Sequence, residues 1–139
     1  MRTRETAEAI LKDHVAEITA LPFLTEIDYG VDEGKAESEV VARLGSETFA
    51  LWDREAIPPE GWRDDPAALR QSWADFFEAH MDYGKDILVV TSNGVARFVL
   101  DVVSGVSKET PRKLRTAAFG LIELEDSEAK LVSWDERAP

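Results

Sequence analysis

Four apolar runs in the last third of the chain constrain the fold more than any other feature. They are rich in Val, Ile, Leu, Phe and Thr, and turn residues separate them. Short turns join antiparallel neighbours, so the pattern predicts a four-stranded antiparallel sheet. The runs are Asp86–Ser92, Val95–Val103, Lys113–Glu123 and Leu131–Glu136, and the breaks are Asn93-Gly94, Gly105 with Pro111, and Asp126-Ser127.

Two amphipathic helices are predicted to pack on this sheet. The first extends from about Arg4 to Ala20, where apolar side chains recur at spacings of three and four. The second begins at Asp65-Pro66, a carboxylate N-cap followed by proline in the first turn. Its core face is predicted to carry Leu69, Trp73, Phe76, Phe77 and His80. Between the helices the pattern is least regular: Val40–Trp52 suits a strand or hairpin, with a short helix at Glu47–Trp52 as the alternative.

Composition bounds the class of protein. A chain of 139 residues with 44% hydrophobic content can fill one core, so residues 1–139 are predicted to form a single domain. Cysteine is absent, which excludes disulfides and thiolate chemistry. The charges near the N-terminus interrupt any apolar core of a signal peptide, and no apolar run is long enough to span a bilayer. A cytoplasmic location is therefore expected.

The net charge of −12 argues against nucleic acid and anionic membranes as partners, because both would be repelled. The simplest interpretation of this charge is a solvated acidic surface. An alternative is a surface that binds a basic partner, as in a secretion chaperone or an immunity protein.

Alternation along the predicted strands sorts their side chains into two faces. The uncharged face should meet the helices, which leaves Asp101 and Arg115 on the far face as predicted cross-strand ion-pair partners. Trp134 in the last strand is placed on the wall of a pocket. Ala118 and Gly120 beside it would leave room for a ligand or for Trp134 itself.

A helix, an irregular middle, a second helix and an antiparallel meander together resemble the nuclear transport factor 2-like (NTF2-like) superfamily. The local likeness rests on Asp65-Pro-Ala-Ala-Leu-Arg-Gln-Ser-Trp at a helix start and on Lys130-Leu-Val-Ser-Trp in the last strand. The superfamily includes ketosteroid isomerase and SnoaL-like polyketide cyclases. The resemblance implies an α+β cone in which N-terminal helices pack on a curved sheet, an apolar pocket, and frequent homodimers.

The resemblance also implies a set of site residues. His14 holds the position of an oxyanion-binding tyrosine in the first helix, and an imidazole N–H can donate to an enolate. Glu37 and Glu39 lie near the position of the general base. No acid stands in Ala117–Leu121, where the isomerases have a second oxyanion donor. The plainer interpretations are a core histidine at His14 and a solvated loop around the two glutamates.

An apolar pocket is predicted between the sheet and the helices. Tyr29 and Asp32 are placed at its mouth, although Tyr29 also suits a plain structural role. The other residues predicted to line it are Trp52, Trp73, Phe98, Ala118, Gly120 and Trp134. The three tryptophans are expected to serve mainly the core, and Trp134 is the one expected also to contact a ligand.

No motif indicates metal binding, a cofactor, a phosphate-binding glycine loop or a GxSxG nucleophile. Ser92-Asn93-Gly94 is interpreted as a hairpin turn and not as a nucleophile site. The hypothesis from sequence is a cofactor-independent, SnoaL-like isomerase, dehydratase or cyclase that acts by proton transfer on a small apolar carbonyl compound. The alternatives are a non-catalytic protein that binds a small apolar molecule and the acidic partner-binding module.

Overall fold

The computed structural model describes residues 2–139, and helices occupy most of its regular structure. A single two-stranded sheet follows the helices near the end of the chain. The helices are α1 (Arg2–Ile10), α2 (Glu37–Leu44), α3 (Ser46–Glu55), α4 (Pro66–His80) and α5 (Asn93–Ala96). The strands are β1 (Ala118–Glu125) and β2 (Glu128–Arg137), and short 3-10 turns lie at Pro22–Leu24, Gly30–Asp32 and Arg97–Asp101.

Helix α4 begins where the sequence predicts. The Asp65 carboxylate accepts a hydrogen bond of 3.0 Å from the Ala68 backbone N–H, and Pro66 occupies the first turn. Trp73 and Phe77 form the buried face of the helix. The Trp73 indole N–H donates to the Val95 carbonyl at 3.1 Å, which joins α4 to α5.

The core is built around aromatic rings. Trp73 stacks on Phe77 with ring centroids 5.7 Å apart, and Trp52 meets Trp62 edge to face at 5.1 Å. The cluster of buried residues comprises Ile27, Trp52, Ala56, Trp73, Phe77, Val95, Phe98 and Val99. Helices α3, α4 and α5, the 3-10 turn after α5 and the loop that contains Ile27 therefore share one core.

A charged side chain is buried beside these rings. Arg97 is 2% exposed, and its guanidinium lies 3.9 Å from the Trp52 ring centroid. It donates to the Trp52 carbonyl at 2.6 Å and to the Asn93 carbonyl at 3.3 Å. Burial lowers the pKa of Arg97 to about 10, so the side chain is still a cation at neutral pH.

The β hairpin is the only paired sheet among residues 2–139. Asp126 and Ser127 have φ of 51° and 64°, which suits a two-residue turn with the twist of a hairpin, as the sequence predicts. The Ser104 backbone binds Ala129 and Leu131 of β2 through two hydrogen bonds of 2.9 Å and attaches the hairpin to the helices.

The predicted four-stranded meander is wrong. Asp86–Ser92 contains no regular element. Most of Val95–Val103 lies in the end of α5 and in the 3-10 turn that follows it. The predicted strand Lys113–Glu123 begins only at Ala118. Leu131–Glu136 does lie within β2. Val95 to Leu100 are all buried, and a run in which every residue but Arg97 is apolar fits a buried helix as well as a buried strand. The NTF2-like cone is wrong for the same reason, because this sheet has two strands and cannot curve around a pocket.

The structure also corrects one prediction for the first half of the chain and decides between two alternatives for another. The first helix ends at Ile10 instead of Ala20, and it buries none of its residues. Little tertiary packing is thus available to extend it. In the irregular middle, the alternative of a short helix at Glu47–Trp52 is confirmed, since this segment lies within α3.

The predicted ion pair between Asp101 and Arg115 does not form. Asp101 accepts from Arg70 Nε at 2.8 Å and from Arg112, whereas Arg115 Nε donates to Asp135 at 2.7 Å. Since Asp101 ends a 3-10 turn that packs near α4, it has no partner across a sheet.

Asp64 tethers the loop before α4 to the segment after the first 3-10 turn. One carboxylate oxygen accepts from the Asp28 backbone N–H at 3.1 Å, and the other is buried with no partner among the described residues. Burial raises the pKa of Asp64 to about 6, and the charges of Asp28 and Glu26 add to this effect.

Within residues 2–139, no helix combines the length and the apolar character that a membrane crossing would need.

The N-cap of α4 gives a first prediction. Asp65→Ala removes the acceptor for the Ala68 N–H and should lower the free energy of unfolding by about 1 kcal/mol in chemical denaturation. Asp65→Asn retains a capping oxygen and should be close to wild type. Equal losses in both variants would contradict the capping role.

The second prediction concerns pH. Folding raises the pKa of Asp64, so the folded chain takes up a proton between about pH 4 and pH 6, and the free energy of unfolding should fall as the pH rises through this window. Asp64→Asn should remove the decrease in the free energy of unfolding that the titration of Asp64 causes. It should also stabilise the chain at pH 8 by about 1 kcal/mol. The control is Asp86→Asn at an exposed position, and denaturation at each pH is the measurement. An unchanged slope in Asp64→Asn would contradict the prediction.

Candidate functional site

Polar side chains converge on the carboxylate of Glu26, which follows the first 3-10 turn. Glu26 Oε1 accepts from the Ser92 hydroxyl at 2.8 Å, from the Tyr29 hydroxyl at 3.2 Å and from the Ile27 backbone N–H at 3.1 Å. We call Glu26, Tyr29, Ser92 and Gly94 the Glu26 cluster. It brings a carboxylate, a phenol and an aliphatic hydroxyl into hydrogen-bond contact.

The chain around the cluster is held by contacts on both sides. Ile27 lies in the core, and the Thr91 hydroxyl donates to the Leu24 carbonyl at 2.9 Å. These contacts bring the segment before α5 against the first 3-10 turn. Ser92 and Glu26 can therefore meet although 66 positions separate them in sequence.

Gly94 gives the Glu26 carboxylate its space. A Cβ at this position would lie 2.7 Å from Glu26 Oε1 and 3.0 Å from the Ile27 side chain. Both distances are shorter than normal contacts, so a side chain here would displace the carboxylate or the core. The close approach of Glu26 to α5 depends on glycine.

Tyr29 acts as a donor in the cluster. Burial and the nearby charge of Glu26 raise the pKa of Tyr29 well above its ordinary value. Its ring packs edge to face on Trp62, with centroids 4.8 Å apart. The hydroxyl therefore stays protonated in the physiological pH range and orients the Glu26 carboxylate.

A surface cavity of about 330 Å³ lies beside Glu26. Its wall is acidic, with Arg63 as the one cation among the lining residues. Arg63 Nη1 is 3.8 Å from Asp28, and both side chains are exposed, so this pair holds the guanidinium weakly. The lining residues are Pro22, Phe23, Thr25, Glu26, Ile27, Asp28, Arg63, Asp64, Asp65, Ala68, Leu69 and Ser72.

A wider hollow of about 570 Å³ lies along α1. It is lined by Arg2, Glu5, Thr6, Ala9 and Ile10, all from that helix. One helix face alone cannot enclose a ligand, so the cavity beside Glu26 is the better candidate site.

The predicted catalytic residues lie apart from this cavity. His14 is exposed beyond the end of α1. Glu39 accepts from the Ala36 backbone N–H at 3.0 Å at the start of α2, and Glu37 is 3.8 Å from Lys113 on the surface. The glutamates thus belong to the first turn of a helix instead of a loop leading into a strand.

The predicted pocket residues lie in several places. Trp52, Trp73 and Phe98 are buried in the core. The Trp134 ring lies against Gly120 and leaves no room for a Cβ there, and the Trp134 indole N–H donates to the Pro111 carbonyl at 2.8 Å. The space predicted beside Ala118 and Gly120 is therefore filled by Trp134 itself. Tyr29 alone among the predicted pocket residues belongs to the Glu26 cluster.

Asp32 is buried instead of framing a cavity mouth. It is 3% exposed, and it forms an ion pair with Arg43 and accepts from the Trp62 indole N–H at 2.9 Å. The Arg43 guanidinium holds the pKa of Asp32 well below its usual range. Its hydrogen bonds join α2 to the loop before α4, which is a structural role.

Both histidines lie outside the site. His80 Nδ1 is 2.7 Å from the Phe76 carbonyl, and its ring lies 4.3 Å from the Phe76 ring. Neither His14 nor His80 lines either of the two cavities.

Sequence reasoning missed Glu26 and Ser92. The interpretation of Ser92-Asn93-Gly94 as a hairpin turn is wrong, since Asn93 and Gly94 begin α5. A serine before a long apolar run is also an N-cap signal, and this signal could have placed Ser92 at a helix start. No local signal links it to Glu26.

Comparison with known proteins identifies a different family from the one predicted. The sequence model of the histidine phosphatase superfamily (branch 1) matches residues 1–137. No solved structure matches.

A curated relative agrees with this family. The 2,3-bisphosphoglycerate-dependent phosphoglycerate mutase of Methanosarcina acetivorans is 28% identical over 100 residues, which cover 68% of this chain and 40% of the relative. The chain thus spans less than half of the length of that relative.

The NTF2-like and SnoaL-like assignment is therefore wrong, and with it the isomerase, lyase and cyclase chemistry. Its support was the order of helices and strands and two short segments, a pattern that unrelated α/β proteins share. The family match extends over nearly the whole chain. The chain belongs to branch 1 of the histidine phosphatase superfamily.

Proposed function

We propose that the protein binds small phosphate monoesters and transfers their phosphoryl group. The observation that carries this proposal is the family match over residues 1–137. The similarity to a phosphoglycerate mutase supports a small acidic phosphate ester as the substrate. This chemistry replaces the proton transfer on an apolar carbonyl compound that the sequence pattern suggested.

Phosphoryl transfer needs a cation for the phosphate oxygens and a group that moves a proton. The cavity beside Glu26 offers both. Arg63 lines it and is held only by a long, exposed contact to Asp28. A guanidinium can bind two phosphate oxygens at once, which makes Arg63 the candidate phosphate ligand.

The acidic wall sets the conditions for binding. Glu26, Asp28, Asp64 and Asp65 surround Arg63, so a phosphate dianion meets repulsion when all of them are ionised. Asp64 has a raised pKa of about 6 and loses its charge below that pH. Binding should therefore be tighter in mildly acidic solution.

A cytoplasmic location and a homodimer, both expected from the sequence, stay predictions, and so does a single domain over residues 1–139.

Release of inorganic phosphate, and transfer between positions on the ester, should be measured with 3-phosphoglycerate, 2,3-bisphosphoglycerate and p-nitrophenyl phosphate. We expect turnover of at least one ester, with a lower KM at about pH 5.5 than at about pH 7.5 because Asp64 is then neutral. Asp64→Asn should reduce this pH dependence, which separates the effect of Asp64 from the titration of the phosphate ester itself. Absence of release and transfer for all three esters would overturn the proposed function.

The role of Arg63 has its own test. Arg63→Ala should raise the KM for the ester about tenfold, since it removes the one cation of the cavity wall. Arg54→Ala, an exposed arginine of α3, is the matched control and should leave the KM unchanged. Equal KM values in the two variants would place the phosphate elsewhere.

A further inference from the structure

Two side chains of opposite charge lie next to each other in the wall of the cavity beside Glu26. Arg63 Nη1 is 3.8 Å from Asp28 Oδ2, which is too long for a hydrogen bond. The other Asp28 oxygen accepts from the Gly30 backbone N–H at 2.8 Å and fixes the direction of the carboxylate. The cavity therefore presents a positive and a negative group to a ligand at the same time.

Backbone contacts keep the two charged groups close together. The Arg63 backbone N–H donates to the Asp28 carbonyl at 2.9 Å, and the Asp28 N–H donates to the Asp64 carboxylate at 3.1 Å. These bonds join the segment that contains Asp28 to the loop before α4. Arg63 and Asp28 thus remain neighbours when a ligand enters between their side chains.

The plainer interpretation of this pair is a structural ion pair. Both side chains are exposed, and an exposed pair at this distance contributes little to stability. Opening it to admit a ligand therefore costs little. The pair can serve as a binding site because the fold does not depend on it.

The rest of the charged wall is negative. Glu26, Asp64 and Asp65 line the same cavity, and one Asp64 oxygen is buried with no partner among residues 2–139. A ligand whose charged groups are all anionic can bind Arg63 but is repelled by the carboxylates. A ligand that also carries a cation is complementary to charges of both signs.

From this arrangement we infer that the cavity selects phosphate monoesters that carry an ammonium group a short distance from the phosphate, with Arg63 binding the phosphate and Asp28 binding the ammonium. The simplest such ester is 2-aminoethyl phosphate. This inference rests on the proposed function and names the class of substrate. Asp28 determines specificity, since it contacts the tail of the ester and not the reacting phosphorus.

This class of ester fits the proposed function and distinguishes the chain from its mutase relative. An amino-substituted phosphate ester is still acidic overall, because the phosphate dianion outweighs one ammonium group. Phosphoglycerate, for which the relative is named, has a carboxylate in place of the ammonium. The carboxylates of the cavity wall would repel that group, so we expect the two proteins to prefer different esters.

The first test uses the wild-type full chain and two esters with tails of nearly equal size. In n-propyl phosphate a methyl group replaces the ammonium of 2-aminoethyl phosphate. Release of inorganic phosphate should give a KM about fivefold lower for 2-aminoethyl phosphate at pH 7.5, the factor that one exposed ion pair can supply. KM is compared because the two leaving groups differ in reactivity, which affects kcat. Equal KM values, or a lower KM for n-propyl phosphate, would overturn the inference and leave the proposed function standing.

The second test assigns the preference to Asp28. Asp28→Asn keeps an oxygen that can accept from the Gly30 N–H but removes the charge. The ratio of kcat/KM for 2-aminoethyl phosphate to that for n-propyl phosphate should fall about fivefold, and the reactivity of the leaving groups cancels in this comparison between proteins. Asp28→Glu restores the charge and should recover most of the ratio.

Asp86→Asn, at an exposed position outside the cavity, is the matched control and should keep the wild-type ratio. A wild-type ratio in Asp28→Asn would overturn the inference while the esters are still turned over. If the wild-type protein releases or transfers phosphate from neither of these esters nor from the three named above, the proposed function fails and the inference fails with it.

Discussion

The buried guanidinium of Arg97 is the interaction on which the rest of the structure depends. A cation removed from water is costly unless its donors are satisfied, and here the Trp52 ring and the carbonyls of Trp52 and Asn93 surround it. These bonds fix α5 relative to α3. Because Ser92 comes immediately before α5, the geometry of the Glu26 cluster follows from the way the core satisfies one arginine.

The buried and half-buried carboxylates differ in whether a cation lies beside them. Carboxylates outnumber cations, yet most of the buried or half-buried acids are neutralised locally, as Asp32 is by Arg43 and Asp101 by Arg70 and Arg112. Asp64 differs, since one of its oxygens is buried without a partner in the described part of the chain. Asp64 lies in the wall of the cavity beside Glu26, where Arg63 is the one cation among the lining residues.

Local signals in the sequence predicted local structure well. The N-cap at Asp65 and the turn at Asp126-Ser127 depend on a few neighbouring residues, and both were found where predicted. The strand at Val95–Val103 was mispredicted because a buried run from Val95 to Leu100, apolar except for Arg97, does not distinguish a buried helix from a buried strand. The Glu26 cluster could not be predicted from the sequence, because it depends on a contact between distant segments and on the absence of a side chain at Gly94.

Helix α1 shows how unevenly this fold distributes its stability. Its nine residues include none that is buried. Isolated helices shorter than about 12 residues are marginal in water, so α1 has little to hold it beyond its own hydrogen bonds. Its amide protons should exchange with solvent almost as fast as those of a free peptide, whereas those of α4 should exchange only when the core opens. We therefore expect helix α1 to open independently of the core that contains Trp52 and Trp73.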